Sequence, residues 1–143
     1  MIGRLQNFRD TGLLILRIGL GGMYLWHGWP KLSGGRERWA RLGGAMDNFG
    51  IDLFPTFWGF MAACAEFFGG LCLIFGVFFG WAGLLMALTM LVAATSHFSR
   101  GEGLRGAAHA VENGIVLLSL VFIGPGKYNL AALFSRKVNP PSS

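Results

Sequence analysis

Between Leu53 and Ser99 the only acidic or basic side chains are Glu66 and His97. A carboxyl group in hydrocarbon is costly unless it is neutralised or paired, so one retained there is a candidate proton carrier. Other groups able to move protons lie along the same chain. His27 follows one apolar stretch and His97 closes another. His109, Glu112 and Asn113 share one helical side at spacings of three and four. Arg17, Gly21, Tyr24, Gly28 and Lys31 also fall at spacings of three and four, which places two cations, a phenol and two glycines on one helical stripe. Such groups suit proton exchange with an apolar carrier such as a quinone. Glu66, His27 and Glu112 are then the proton-handling candidates. Arg17, Tyr24, Lys31, His97, His109 and Asn113 are candidates for holding the carrier's polar head.

Each of these residues has a plainer role open to it. Arg17 can snorkel to headgroups. His97 and His109 can flank helices at the interface. Glu66 can bond Tyr24, His27, a backbone carbonyl or a residue of the fourth helix. Other chemistries find less support. No tight ligand spacing such as HExxH occurs, so no metal is expected. A haem would favour paired mid-span histidines; His27 and His97, both near one interface, are a weak signal for one, and no haem is expected. The glycines of GEGLRG, Gly101 to Gly106, lie between helices and do not follow a strand, so they are no phosphate loop. Cys64 and Cys72 on one helix would stand about 12 Å apart, too far for a disulfide.

The elements that must position these groups follow from composition. The chain has 143 residues, of which 53% are hydrophobic and 13% charged, where about 25% charged is ordinary for a soluble domain. Its mean hydropathy is +0.52. The net charge of +5 is scattered and forms no basic stripe interleaved with stacking aromatics, so nucleic acid is not an expected partner. The expected class is all-α: a bundle of four transmembrane helices with a longer first extramembrane loop. The helices are expected at about residues 12–31, 55–78, 81–97 and 106–123, in one membrane domain with a basic tail at 127–143. A tight turn is expected near residues 78–80, and Gly124, Pro125 and Gly126 should end the fourth helix. No cleavable signal peptide is expected, and the first helix should remain as an anchor. A soluble five-helix bundle would leave the second and third helices apolar nearly all round. Four crossings put both termini on one side, expected to be cytoplasmic because Arg17 lies nearer that end. His27, His97, His109 and Glu112 then fall within about two turns of the opposite side. A pocket opening there would hold two carboxylates and up to three imidazoles.

Four motifs carry a family resemblance: WHGWPKL at Trp26 to Leu32, Glu66 with Gly69 and Gly70, His97 with Glu112, and GPGKYNL at Gly124 to Leu130. In this order and spacing they resemble the DoxX-like membrane proteins, whose relatives include the small membrane subunit of thiosulfate:quinone oxidoreductase. The resemblance implies four transmembrane helices, cytoplasmic termini, a bacterial or archaeal plasma (inner) membrane and a quinone connection. Carried over by position, it marks Arg17, His27, Lys31, Glu66, His97 and Glu112. The expected function is a quinone-interacting subunit of a membrane oxidoreductase or redox-stress complex, with a protein partner or a second copy of the chain, in contact with lipid. The alternative is a non-catalytic assembly subunit that binds a partner through the glycine faces at Gly21, Gly28, Gly69 and Gly76. A small transporter or lipid-handling protein is the third possibility.

Overall fold

The computed structural model describes residues 8–130 and 132. Among them it holds five α-helices: α1 (Arg9–Leu32), α2 (Gly35–Gly43), α3 (Pro55–Phe75), α4 (Phe79–Ser99) and α5 (Gly103–Ile123). A 3-10 segment, Gly44–Phe49, follows α2. The described residues thus hold one helix more than the four expected. The added helix, α2, sits in the loop expected to be irregular. Its sequence GRERWARLG exposes Arg36, Arg38 and Arg41 and turns Trp39 partly inward.

Three helices, α3, α4 and α5, are long and apolar enough to cross a membrane. Each has 21 residues, or about 31 Å, which matches a hydrocarbon core. Helix α1 has 24 residues but is not among the three, because Arg17, His27 and Lys31 dilute its apolar character. The outer surface of the bundle is rich in large apolar groups. Phe122, Phe78 and Trp26 are each more than three-quarters exposed, which suits a lipid environment.

Several boundaries differ from expectation for local reasons. Helix α3 stops at Phe75 because Gly76 takes a left-handed φ of 69° and closes the helix end. Phe78 follows at φ 46°, a conformation unusual for a side-chain-bearing residue, and α4 begins at once. Helix α1 runs through Pro30, which falls in its last turn. Of the expected 127–143 tail, Lys127, Tyr128 and Leu130 are described, while Leu133, Phe134, Arg136 and Lys137 lie outside the described residues.

Helix α1 packs along α3, and α4 along α5; the α3–α4 contact is less extensive. The first pair approaches backbone to backbone at glycines. A Cβ on Gly21 would stand 2.6 Å from the Gly70 carbonyl oxygen, so no larger residue fits without moving α1. Helix α2 meets α3 the same way, with Gly59 directly against the Trp39 carbonyl. Gly28 packs on Phe67, and Gly69 on Met86. The glycine faces that would dock a partner are thus filled from within the chain. Met86, Leu117 and Leu120 are fully buried and, with Leu73, hold α3, α4 and α5 together.

One side chain ties the end of the bundle. Arg17 is 1% exposed. It donates from Nε to the Leu73 carbonyl at 3.0 Å, from Nη2 to that of Ile74 at 3.0 Å and from Nη1 to that of Pro125. The last carbonyls of α3 have no donor within the helix and sit at its negative end, so a cation satisfies both needs. Arg17 therefore does not snorkel to headgroups. It joins α1, α3 and the segment after α5. Nearby, the Lys127 amide donates to Asp10 Oδ1 at 3.0 Å. Replacing Arg17 with Met should lower stability in detergent or nanodiscs by about 3 kcal/mol, since one buried and two part-buried carbonyl contacts lose a charged donor. Arg9→Ala, which removes one exposed contact of 3.5 Å to Ile123, should change little. Thermal unfolding of the two variants checks this.

Candidate functional site

Glu66 lies on the buried side of α3, and its neighbours Gly69 and Gly70 let α4 and α1 approach closely. Counting 1.5 Å per residue from Pro55 places it about 16 Å into the helix, near mid-span. Its side chain is 4% exposed and does not remain alone. Lys31, in the last turn of α1, donates from Nζ to Oε1 at 2.7 Å and to Oε2 at 2.5 Å. Lys31 is 28% exposed, so the pair spans the boundary between the bundle interior and the open side. The Lys31 carbonyl accepts from Trp39 Nε1 at 2.9 Å, which anchors α2 to the end of α1. Tyr24, on the same stripe, is buried, and its hydroxyl has no hydrogen-bond partner among the described residues. The counter-ion of Glu66 is Lys31, not Tyr24, His27 or a group of the last helix. The helical stripe already turned Lys31 inward, but a lysine at a helix end also reads as a headgroup anchor.

A groove of about 1180 Å³ runs between α3 and α4, with α2 and the 3-10 segment at one end. Arg41, Met46 and Trp58 line that end, and Phe78 and Trp81 line the other. Between them the walls are mostly apolar, with Cys64, Cys72, Leu85 and Leu88 among the lining residues. Lys31 and Glu66 line the groove part-way down, and Thr89 lies at a similar depth on α4. The loose α3–α4 contact leaves this space. Its volume exceeds that of most small-molecule sites.

At the mouth, His97 and Arg100 line the groove from the end of α4. His97 Nδ1 lies 2.6 Å from Glu102 Oε2. Arg100 donates from Nε to Glu102 Oε1 at 2.6 Å and from Nη1 to Ser96 Oγ at 2.8 Å. These contacts, that of Arg100 first and that of His97 next, hold the Glu102 carboxyl below its ordinary value of 4.5. Sequence reasoning missed Glu102 and Arg100. The signal was a glutamate one short turn beyond a histidine that ends a helix.

The remaining candidates do not join this groove. His27 and His109 meet edge-on, with ring centroids 5.8 Å apart and an interplanar angle of 62°. Asn113 Nδ2 donates to the His109 carbonyl at 2.8 Å. His27, His109 and Glu112 are exposed, and Glu112 has no ion pair or hydrogen bond among the described residues. The carboxylates and imidazoles expected in one pocket do not all share it: Glu66 and His97 line the groove with Lys31, His27 and His109 meet between α1 and α5 with Asn113 bonded to His109 on α5, and Glu112 joins neither. Arg17, expected nearer the other side, lies in the carbonyl knot. Helical spacing fixes which side of its own helix a residue occupies. It does not fix which neighbour that side meets. Among the described residues no group of three or more His, Cys, Asp or Glu could hold a metal.

Comparison with known proteins bears on this architecture. A family model described as DoxX matches residues 12–98, which take in Arg17, Lys31, Glu66 and His97. The chain is 28% identical over 140 residues to "Inner membrane protein YqjF" of Escherichia coli (strain K12), covering 93% of this chain and 99% of that protein. It is 31% identical over 84 residues to "Putative oxidoreductase CatD" of Bacillus subtilis (strain 168), covering 59% and 58% of the two chains. No solved structure matches it.

Two outcomes follow from the geometry. Removing one partner of the Lys31–Glu66 pair strands the other in a poorly solvated place. Lys31→Met and Glu66→Met should each destabilise, and the double variant should recover part of the loss. Thermal unfolding of the four proteins should give a coupling energy of about 1–3 kcal/mol, whereas additive losses would mean the two side chains do not meet. The second outcome concerns Glu102. Its folded value is depressed, so its stabilising contribution is present above about pH 4.5 and is lost as pH falls through the lowered folded value. Amide protection at Arg100 to Gly103 should hold from pH 7 to 5 and drop under stronger acid. Glu102→Gln should remove that transition.

Proposed function

The chain belongs to the DoxX family of membrane proteins, and from that premise we propose that its α3–α4 groove binds a quinone whose protons are handled by the Lys31–Glu66 pair. The observation that carries this reading is one continuous apolar groove with an ion pair in its wall at mid-depth. The apolar walls suit an isoprenoid tail. The ammonium and carboxylate offer a donor and an acceptor to ring oxygens. When bound, a quinone supplies reversible two-electron, two-proton chemistry. Glu66 would take or give a proton at Oε1 or Oε2, with Lys31 Nζ stabilising the ionised carboxylate between transfers. In this reading the chain is a subunit, and a partner protein exchanges the electrons. The printed name of the Bacillus subtilis relative, "Putative oxidoreductase CatD", agrees with that assignment.

In the same reading α1 is a fourth crossing. Its outward residues Ile15, Leu16, Ile18, Met23, Trp26 and Trp29 are apolar and exposed, and its buried residues Arg17, Gly21, Tyr24 and Gly28 face the bundle. The charge that lowers its hydropathy is therefore hidden from lipid. The start of α1 and the end of α5 then lie on one side, which we assign to the cytoplasm.

The two cysteines report on occupancy, since Cys64 and Cys72 are free and both line the groove. A short-tailed ubiquinone or menaquinone analogue should slow their labelling by a lipid-soluble maleimide in a saturable way. Glu66→Gln should raise the half-protecting concentration by roughly tenfold, as expected for losing one charged hydrogen bond. Labelling that no quinone slows would rule the reading out.

A further inference from the structure

We propose that His97, oriented by Glu102, is the proton relay at the aqueous mouth of the groove, and that Arg100 holds Glu102 in place for that task; this rests on the quinone reading of the groove. The first support is position. Glu66 lies about 16 Å in from the start of α3, so a proton released at its depth must still reach water. His97 lines the same groove in the last turn of α4, with its side chain 33% exposed. It is the imidazole that touches both the groove and the solvent, since His27 and His109 lie on the α1–α5 contact.

The second support is the tautomer. An ionised Glu102 oxygen can only accept, so the ring nitrogen 2.6 Å from it must carry hydrogen. Arg100 Nη2 also lies 3.0 Å from Nδ1. That nitrogen has no lone pair left for it, and Arg100 is already bonded to Glu102 and Ser96. Nδ1–H is thereby fixed, and Nε2 is the ring atom left to accept a proton.

The third support is what Glu102 does not do. It occupies the N-cap position of α5 yet makes no capping hydrogen bond. An aspartate there ordinarily accepts from the first-turn amides, whereas the longer glutamate side chain is free to reach elsewhere. Here it turns back to His97 and Arg100. The charged groups around the relay are Arg100 and Glu102 on its own turn, Arg41 from α2 on the groove wall, and the Lys31–Glu66 pair deeper in the groove.

Glu66 takes the proton of a quinol hydroxyl at mid-depth and releases it towards the mouth; His97 Nε2 accepts it, the ring becomes an imidazolium paired with Glu102, and the proton passes to water. Two such transfers, with two electrons passed to two one-electron acceptors, convert one quinol to one quinone. Glu102 acts through His97 and is a positioning residue.

The test uses the full chain in nanodiscs, with a short-tailed ubiquinol analogue as donor and ferricyanide as the water-soluble one-electron acceptor. Three quantities are read: maleimide protection of Cys64 and Cys72, the ring ¹⁵N spectrum of His97, and the pH profile of ferricyanide reduction above the protein-free rate. The wild type should show protection, the Nδ1–H tautomer and a pH-dependent rate. His97→Gln should keep the protection, lose about a hundredfold in rate and flatten the profile, as for loss of a positioned acid–base group. Glu102→Gln should mix the tautomers and shift the profile, and Glu102→Asp should restore part of both. Protection with an unchanged profile in His97→Gln or Glu102→Gln overturns the relay alone. Absence of quinone protection in the wild type overturns the reading of the groove and the relay with it, while the tautomer spectrum still reports whether Glu102 holds the ring.

Discussion

The carboxylate of Glu66 cannot sit near the middle of an apolar helix without a counter-charge, and Lys31 provides it. An unpaired charge at that depth costs about 3 kcal/mol on insertion scales. The rest of the bundle is arranged so that the pair can form. Helix α1 must run antiparallel to α3 at close range, which Gly21 and Gly70 allow. The end of α1 must stand over α3, which Trp39 secures through the Lys31 carbonyl. The opposite end of α1 must be fixed as well, and Arg17 does this with three backbone carbonyls. Two inward cations on one helix thus have different duties. One answers the open end of a helix, the other a carboxylate.

The same arrangement explains why the groove lies between α3 and α4. Glycine contact draws α1 onto α3, and Met86 with Leu117 draws α4 onto α5. The two tight pairs meet through a less extensive interface. Space left there is lined by the residues each pair turns toward the other, and these are apolar except at Lys31, Glu66, Thr89 and the cluster at the mouth. A groove built this way has mostly apolar walls along its length and a charged cluster at one end. Family membership and the multi-pass membrane character agree with that layout.

Much of this was legible in the sequence. Apolar runs gave α3 and α4, since little else keeps charge out of so long a stretch. The stripe from Arg17 to Lys31 named the inward face of α1, because helical periodicity sorts residues by side before any partner is known. The motif pattern gave the family. Other features were not legible. Helix α2 was hidden because its arginines read as loop; its packing on α3 at Gly43 and Gly59 and its Trp39 bond to α1 are tertiary contacts that the sequence does not display. The His97–Glu102 contact depended on how one turn folds back. Convergence of all three histidines was expected from depth alone, and depth does not determine azimuth around the bundle. His27 and His109 share a level with His97 but face a different gap.

The central claim is that Glu66 and Lys31 are in contact inside a lipid-embedded bundle. The most direct measurement is the dipolar coupling between the Glu66 carboxyl ¹³C and the Lys31 ¹⁵Nζ in chain reconstituted in bilayers. The structure, with Nζ at 2.5 and 2.7 Å from the carboxylate oxygens, requires a strong coupling. No detectable coupling, with Glu66 exchanging freely with bulk water, would contradict it.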